Sequence, residues 1–152
     1  MKRLGLGIAV AIDLTLPAFG QGVDLPSGSW KLNLEKSTFT NSQPPKSLIT
    51  TWSGNEQNLI ATTEGVTLQG QAFTMVVTEI FDGQPHPTTV NPIWDATSLA
   101  RIGNTTNITR FKNGKPVAVG HAVTVGNTTT LTQEGINLNN QLFREVLVFD
   151  KQ

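Results

Sequence analysis

From Trp30 to the C-terminus, short runs of apolar and β-branched residues alternate with polar ones, and Gly, Asn or Pro interrupts them about every 8–12 positions. That rhythm constrains the fold more than any other feature. A helix needs an apolar stripe repeating near 3.6 residues, whereas a strand half-buried in a sheet repeats every second residue. No convincing helical period occurs after the first 20 residues or so. Threonine is frequent, and its branched Cβ suits a pleated surface.

Trp30, Leu32 and Leu34 alternate with Lys31, Asn33 and Glu35, so the first strand is expected to bury its even positions. Gln43-Pro44-Pro45 reads as a loop, because prolines lack the donor that a central strand requires. Strands are expected near 46–53, 58–67, 71–81, 97–102, 106–112, 115–125, 128–134 and 142–150. Asp82-Gly83 reads as a tight hairpin turn, and 85–95, with Pro85, Pro87 and Pro92, as an irregular or edge segment. About nine or ten short strands with short connections predict an all-β fold, an antiparallel up-and-down barrel. A β-sandwich is the alternative.

The 152 residues suit one domain, and 11 basic residues balance 11 acidic ones. Without a clustered positive surface, nucleic acid is not an expected partner. Cysteine and tyrosine are absent, which removes disulfides, thiolate catalysis and phenolic acids.

Lys2 and Arg3, the apolar run from Leu4 to Leu16, and Ala18-Phe19-Gly20 occur in the order of a secretory signal, although Asp13 interrupts the run. The expected organisation is a signal peptide over 1–20 and one barrel domain over 21–152, secreted or periplasmic after cleavage. No later stretch has the length to span a bilayer. A monomer or small homo-oligomer is expected.

Gly28-Ser29-Trp30 on the first strand and Arg144 on the last resemble the lipocalin and fatty-acid-binding superfamily. There a G-x-W packs beneath a basic residue from the final strand. The resemblance implies a calycin-type barrel with Trp30 and Arg144 as a structural pair, the guanidinium stacked on the indole. Gly28-Ser29-Trp30-Lys31-Leu32-Asn33, Lys36-Ser37-x-Phe39, Pro45-Lys46-Ser47, Glu64-Gly65-Val66, Phe81-Asp82-Gly83 and Val148-Phe149-Asp150-Lys151-Gln152 are also similar to small exported bacterial proteins of acidobacterial type, called lipocalin-like. That likeness implies export and fold and brings no catalytic residues.

Two strands carry candidate chemistry. Val117, Val119, Val123 and Val125 share a face with His121, opposite Ala118, Gly120, Ala122 and Thr124. Taking the valines as the interior makes His121 a candidate base. Phe73, Met75 and Val77 share a face with Glu79, a buried carboxylate if that face is inside and a mouth residue if it is not. Arg101 or Arg110 is suited to an anionic group, and Trp94 to a lid over the mouth. Asp82 and His86 lie four apart on a proline-rich segment, a conceivable loop site. The two histidines do not make a dedicated metal site, and neither a metal nor a cofactor is expected. G-x-S-x-G, P-loop, dinucleotide and H-E-x-x-H signatures are absent.

The leading expectation is an exported binder of a small apolar molecule, lined by Val117, Val119, Val123, Phe73, Met75, Trp94, Arg101 and Arg110. An isomerase, cyclase or hydrolase using His121 or Glu79 in the same cavity is the first alternative. A structural envelope protein with a filled core is the second.

Overall fold

The computed structural model describes residues 26–55, 58–88 and 93–152. The expected signal segment lies outside them. The strands are β1 (Gly28–Leu32), β2 (Thr38–Thr40), β3 (Ser47–Asn55), β4 (Asn58–Val66), β5 (Ala72–Glu79), β6 (Asp82–Pro87), β7 (Ala96–Ile102), β8 (Thr105–Lys112), β9 (Lys115–Val125), β10 (Thr128–Ile136) and β11 (Leu142–Lys151). Among the described residues no helix is long and apolar enough to cross a membrane.

All pairings are antiparallel, in the order β5-β4-β3-β1-β11-β10-β9-β8-β7-β6, with β2 also paired to β11. β1 and β2 act as one interrupted strand along β11, which accounts for ten positions around an up-and-down barrel. Asn33 to Ser37 form the interruption, where Ser37 Oγ donates to Asn33 O at 2.6 Å and accepts from Val148 N at 3.0 Å.

The Asp82-Gly83 expectation requires correction. β5 and β6 follow one another in sequence but are the two ends of the sheet, not a hairpin. Asp82 Oδ1 accepts from Gln84 N at 2.8 Å, closing a local turn at the start of β6. Gly83 adopts φ +76°, and the β6–β7 register shifts between Asp82 and Pro85. Pro85 and Pro87 sit on this edge strand, where a missing donor removes no ladder bond.

Inward positions alternate as the pattern requires at Trp30 and Leu32, whereas Leu34, expected inside, lies beyond the end of β1 and is exposed. Trp30, Leu32 and Phe149 form a buried cluster against Phe39, Leu48, Trp52 and Leu147. Trp30 Nε1 donates to Ser27 O at 3.0 Å, so the indole is buried with its polar edge satisfied. The basic group above its ring is Lys151, whose Nζ lies 5.6 Å from the ring centroid. Trp30 pairs with Lys151 in the ladder, whereas Arg144 is exposed and pairs with Thr40. The expected Trp30–Arg144 stack is therefore replaced by Trp30–Lys151.

β9 faces opposite to expectation. Ala118 is buried, while Val119 and Val125 are 50% and 70% exposed and His121 is exposed. A Cβ on Gly120 would come within 2.6 Å of Thr132 O and 2.8 Å of Gln133 Cβ. At Gly120 the concave side of the strand leaves no room for a side chain, and volume overrides hydrophobicity there.

Candidate functional site

Inside the barrel lies a cavity of about 240 Å³. Its apolar wall includes Trp52 on β3, Ala61 on β4, Met75 and Val77 on β5, Leu99 on β7, Ile108 on β8 and Phe149 on β11. Ile80, Phe81 and His86 border it where the sheet's two ends meet without pairing. The volume lies below the 300–1,000 Å³ or so of pockets that enclose drug-sized ligands, so a compact guest fits best.

Threonines supply much of the remaining wall: Thr50, Thr63, Thr88, Thr97, Thr106, Thr124 and Thr129. Their hydroxyls pair across strands, Thr50 with Thr63 at 3.0 Å, Thr124 with Thr129 at 2.9 Å, and Thr88 with Thr97 at 3.1 Å. Pairing satisfies buried hydroxyls within the wall and keeps a mixed methyl and hydroxyl surface.

Glu79 ends β5 and points inward. Its Oε2 accepts from Trp52 Nε1 at 2.9 Å. Part of its surface stays open, but protein surrounds it on nearly every side. Burial pushes its carboxyl above the usual range, against the opposing effects of the Trp52 bond and of Arg110 and Arg101. No described cation pairs with it within 4 Å.

Arg101 and Arg110 come from adjacent strands and bracket an apolar pair. The ladder sets Arg101 against Thr106, Leu99 against Ile108, and Thr97 against Arg110. Arg101 Nη1 donates to Thr106 Oγ1 at 3.0 Å, and Arg110 Nη1 makes a longer 3.4 Å contact with Thr97 Oγ1. Arg110 lies over Trp94, 4.2 Å from the ring centroid, so the indole fixes the guanidinium plane. Burial lowers its pKa to about 10, with Glu79 and Glu145 pulling the other way. It therefore stays protonated at neutral pH. Its Nε has no hydrogen-bond partner among the described residues.

Further along the interior, Glu145 Oε2 accepts from Gln133 Nε2 at 2.6 Å. On β6, His86 Nε2 meets Asp82 Oδ1 and Oδ2 at 2.9 and 3.0 Å, with His86 also lining the cavity. Two local carboxylate bonds hold Asp82 below its ordinary pKa, first Gln84 N and then His86. Among the described residues no three His, Cys, Asp or Glu side chains form a metal-binding group.

Of the residues singled out from sequence, Glu79, Met75, Trp94, Arg101 and Arg110 meet at this cavity. Phe73 shares their strand face but covers Gly65, where an added Cβ would lie 2.7 Å from its Cζ. Val117, Val119, Val123 and His121 do not line the cavity, because β9 turns Ala122 and Thr124 inward. His121 and Glu79, the two candidate bases, are therefore not in the same cavity, since His121 lies on the outer face of the barrel wall. Sequence reasoning missed Trp52 as a partner for Glu79 and the paired threonines. The signal was present as parity: Thr50 and Trp52, Thr97 and Arg101, and Thr106 and Arg110 each share one strand face.

No family model matches the chain, and no curated protein matches it. Among solved structures the fold is similar to a zebrafish ileal bile acid-binding protein complexed with cholic acid, with TM-score 0.54 and 13% identity. The match covers 83% of this chain and 98% of that one. At that identity the likeness establishes the fold: an all-β, antiparallel, fatty-acid-binding-like barrel.

Proposed function

We propose that the protein binds one small amphipathic molecule inside the barrel. Its apolar body lies against Trp52, Met75, Val77, Leu99 and Ile108, and its polar or anionic end lies near Arg110 and Arg101. One observation carries this reading: an unfilled interior next to a buried guanidinium whose orientation Trp94 already fixes. A ready-made donor costs little further ordering when a ligand arrives. The zebrafish neighbour, complexed with cholic acid, supports small-molecule binding in a barrel of this shape. The open interior also favours binding over a filled structural barrel.

The direct test is native mass spectrometry of protein purified from its natural source without detergent. A bound mass released by organic extraction supports the reading. A clean apo mass, with no compact amphiphile taken up on titration, removes it.

A second reading is catalysis in the same cavity, favoured by a carboxyl whose burial stabilises its protonated form. Glu79 would act as general acid or base. Unchanged turnover of an identified substrate by Glu79→Gln would exclude it.

The charged start, apolar run and Ala18-Phe19-Gly20 site support export to the periplasm or outside the cell. N-terminal sequencing of the envelope form, with Gln21 as the expected first residue, tests this.

A further inference from the structure

We propose that an anionic ligand enters this cavity together with one proton, which Glu79 takes up from solvent, so that binding weakens as pH rises. This rests on the binding reading above and adds the ligand's charge and a proton acceptor to it.

Charged side chains from several strands lie around the Glu79 end of the cavity. From β7 and β8 come Arg101 and Arg110, from β11 Glu145, and from β6 His86 with its partner Asp82. β3 presents Trp52, and β4 presents Leu59 and Ala61, none of them titratable. β9 and β10 turn no charge inward, since His121 and Glu134 are exposed. Two carboxylates thus lie about two guanidinium groups, Glu79 near both and Glu145 near Arg110.

A bound anion upsets that balance by one negative charge, in surroundings where water screens little. Repulsion between like charges a few ångströms apart raises the proton affinity of the group that holds its charge least well. Glu145 has a 2.6 Å bond from Gln133 Nε2. Glu79 has one bond, from a neutral indole, and no described cation within 4 Å. Burial already favours its neutral form. Arg110 offers the anion an Nε without a described partner, held in place over Trp94. When the anion occupies Arg110, it also withdraws part of the attraction that kept Glu79 ionised. The proton then converts a carboxylate to a neutral carboxyl.

Octane-1-sulfonate is a suitable probe, because a sulfonate cannot carry the proton itself. Octan-1-ol serves as a neutral counterpart. Calorimetric titration of the full chain between about pH 5 and pH 9, in buffers of different ionisation enthalpy, reads affinity and proton uptake together. The expected result is sulfonate affinity falling by up to about tenfold per pH unit over part of that range, with uptake approaching one proton. Octanol affinity stays flat. In Glu79→Gln, with its fold checked by circular dichroism, both the pH dependence and the uptake disappear.

Sulfonate binding that is independent of pH, or uptake that persists in Glu79→Gln, overturns the inference and leaves the binding reading intact. So does octanol binding without sulfonate binding at any pH. If neither probe binds, the binding reading falls and this inference falls with it.

Discussion

At the residue scale, two carboxylates respond to pH with opposite sign. Glu79 binds its proton more tightly in the fold than in the unfolded chain, because burial disfavours its charge. Its contribution to stability is therefore present below the ordinary carboxylate pKa and is lost as pH rises through its elevated folded value. Glu79→Gln is expected to raise the melting temperature at alkaline pH and to change it little near pH 4, roughly the ordinary carboxylate range, in paired thermal melts. Asp150 behaves the other way. Asn33 Nδ2 at 2.8 Å lowers its pKa first, with Lys36 Nζ at 3.4 Å and Thr128 Oγ1 at 3.2 Å adding to the effect. Its contribution is present above the ordinary pKa and fades in acid. Asp150→Asn is therefore expected to melt earlier than the wild type at neutral pH, with the gap closing below about pH 3.

At the element scale, β9 shows how a barrel chooses a strand's inner face. Gly120 lies opposite Gln133, and Gly135 opposite Ala118, where an added Cβ on Gly135 would approach Ala118 Cβ to 2.5 Å. Small residues allow β9 and β10 to curve against one another. Gly120→Ala places its methyl against the backbone carbonyl of Thr132 and is expected to destabilise the fold by about 1–3 kcal/mol in urea denaturation. His121 stands on the opposite face in solvent. His121→Ala is expected to change stability by less than about 0.5 kcal/mol and to leave probe binding unaltered. A large loss of binding in that variant would contradict the strand orientation.

At the scale of the whole molecule, the sheet does not close by hydrogen bonds among the described residues. β5 and β6 are its free ends, and the cavity borders their junction through Ile80, Phe81 and His86. The two ends differ. β6 carries Pro85 and Pro87, which have no amide hydrogen, and a register shift between Asp82 and Pro85, whereas β5 runs as a regular strand through Glu79. Amides without a ladder partner open without breaking the sheet. Hydrogen exchange is expected to be fastest along β6 and at the outward-directed amides of β5, and slowest in β10 and β11. Uniform protection around the barrel would show that the junction is closed in solution. The cavity, the acid and both arginines lie near this junction, so the least constrained part of the sheet is also where the proposed ligand would enter.

The linear pattern determined the all-β class, nine of the strand positions within a few residues, and the up-and-down order, because period-two alternation and turn residues are local properties; it left β2 unmarked and read β6 as a turn and an irregular or edge segment. It also singled out Glu79, Arg101, Arg110 and Trp94, since charges and aromatics beside apolar neighbours are unusual wherever they occur. Tertiary structure decided the rest. Period two groups residues into two faces but does not say which face is concave, so β9 was legible as a strand and not as a wall. Hydrophobicity favoured the valines, whereas curvature and limited volume put Ala118, Gly120 and Ala122 inside. Trp30 received Lys151 instead of Arg144 because ladder register, set by pairing over the whole length of β11, places the partner. Asp82-Gly83 has the chemistry of a hairpin, yet whether two consecutive strands pair depends on where a closing sheet runs out of strands. Glu79 met Trp52 across 27 residues of sequence, and only the fold of β3, β4 and β5 brings such distant atoms to 2.9 Å.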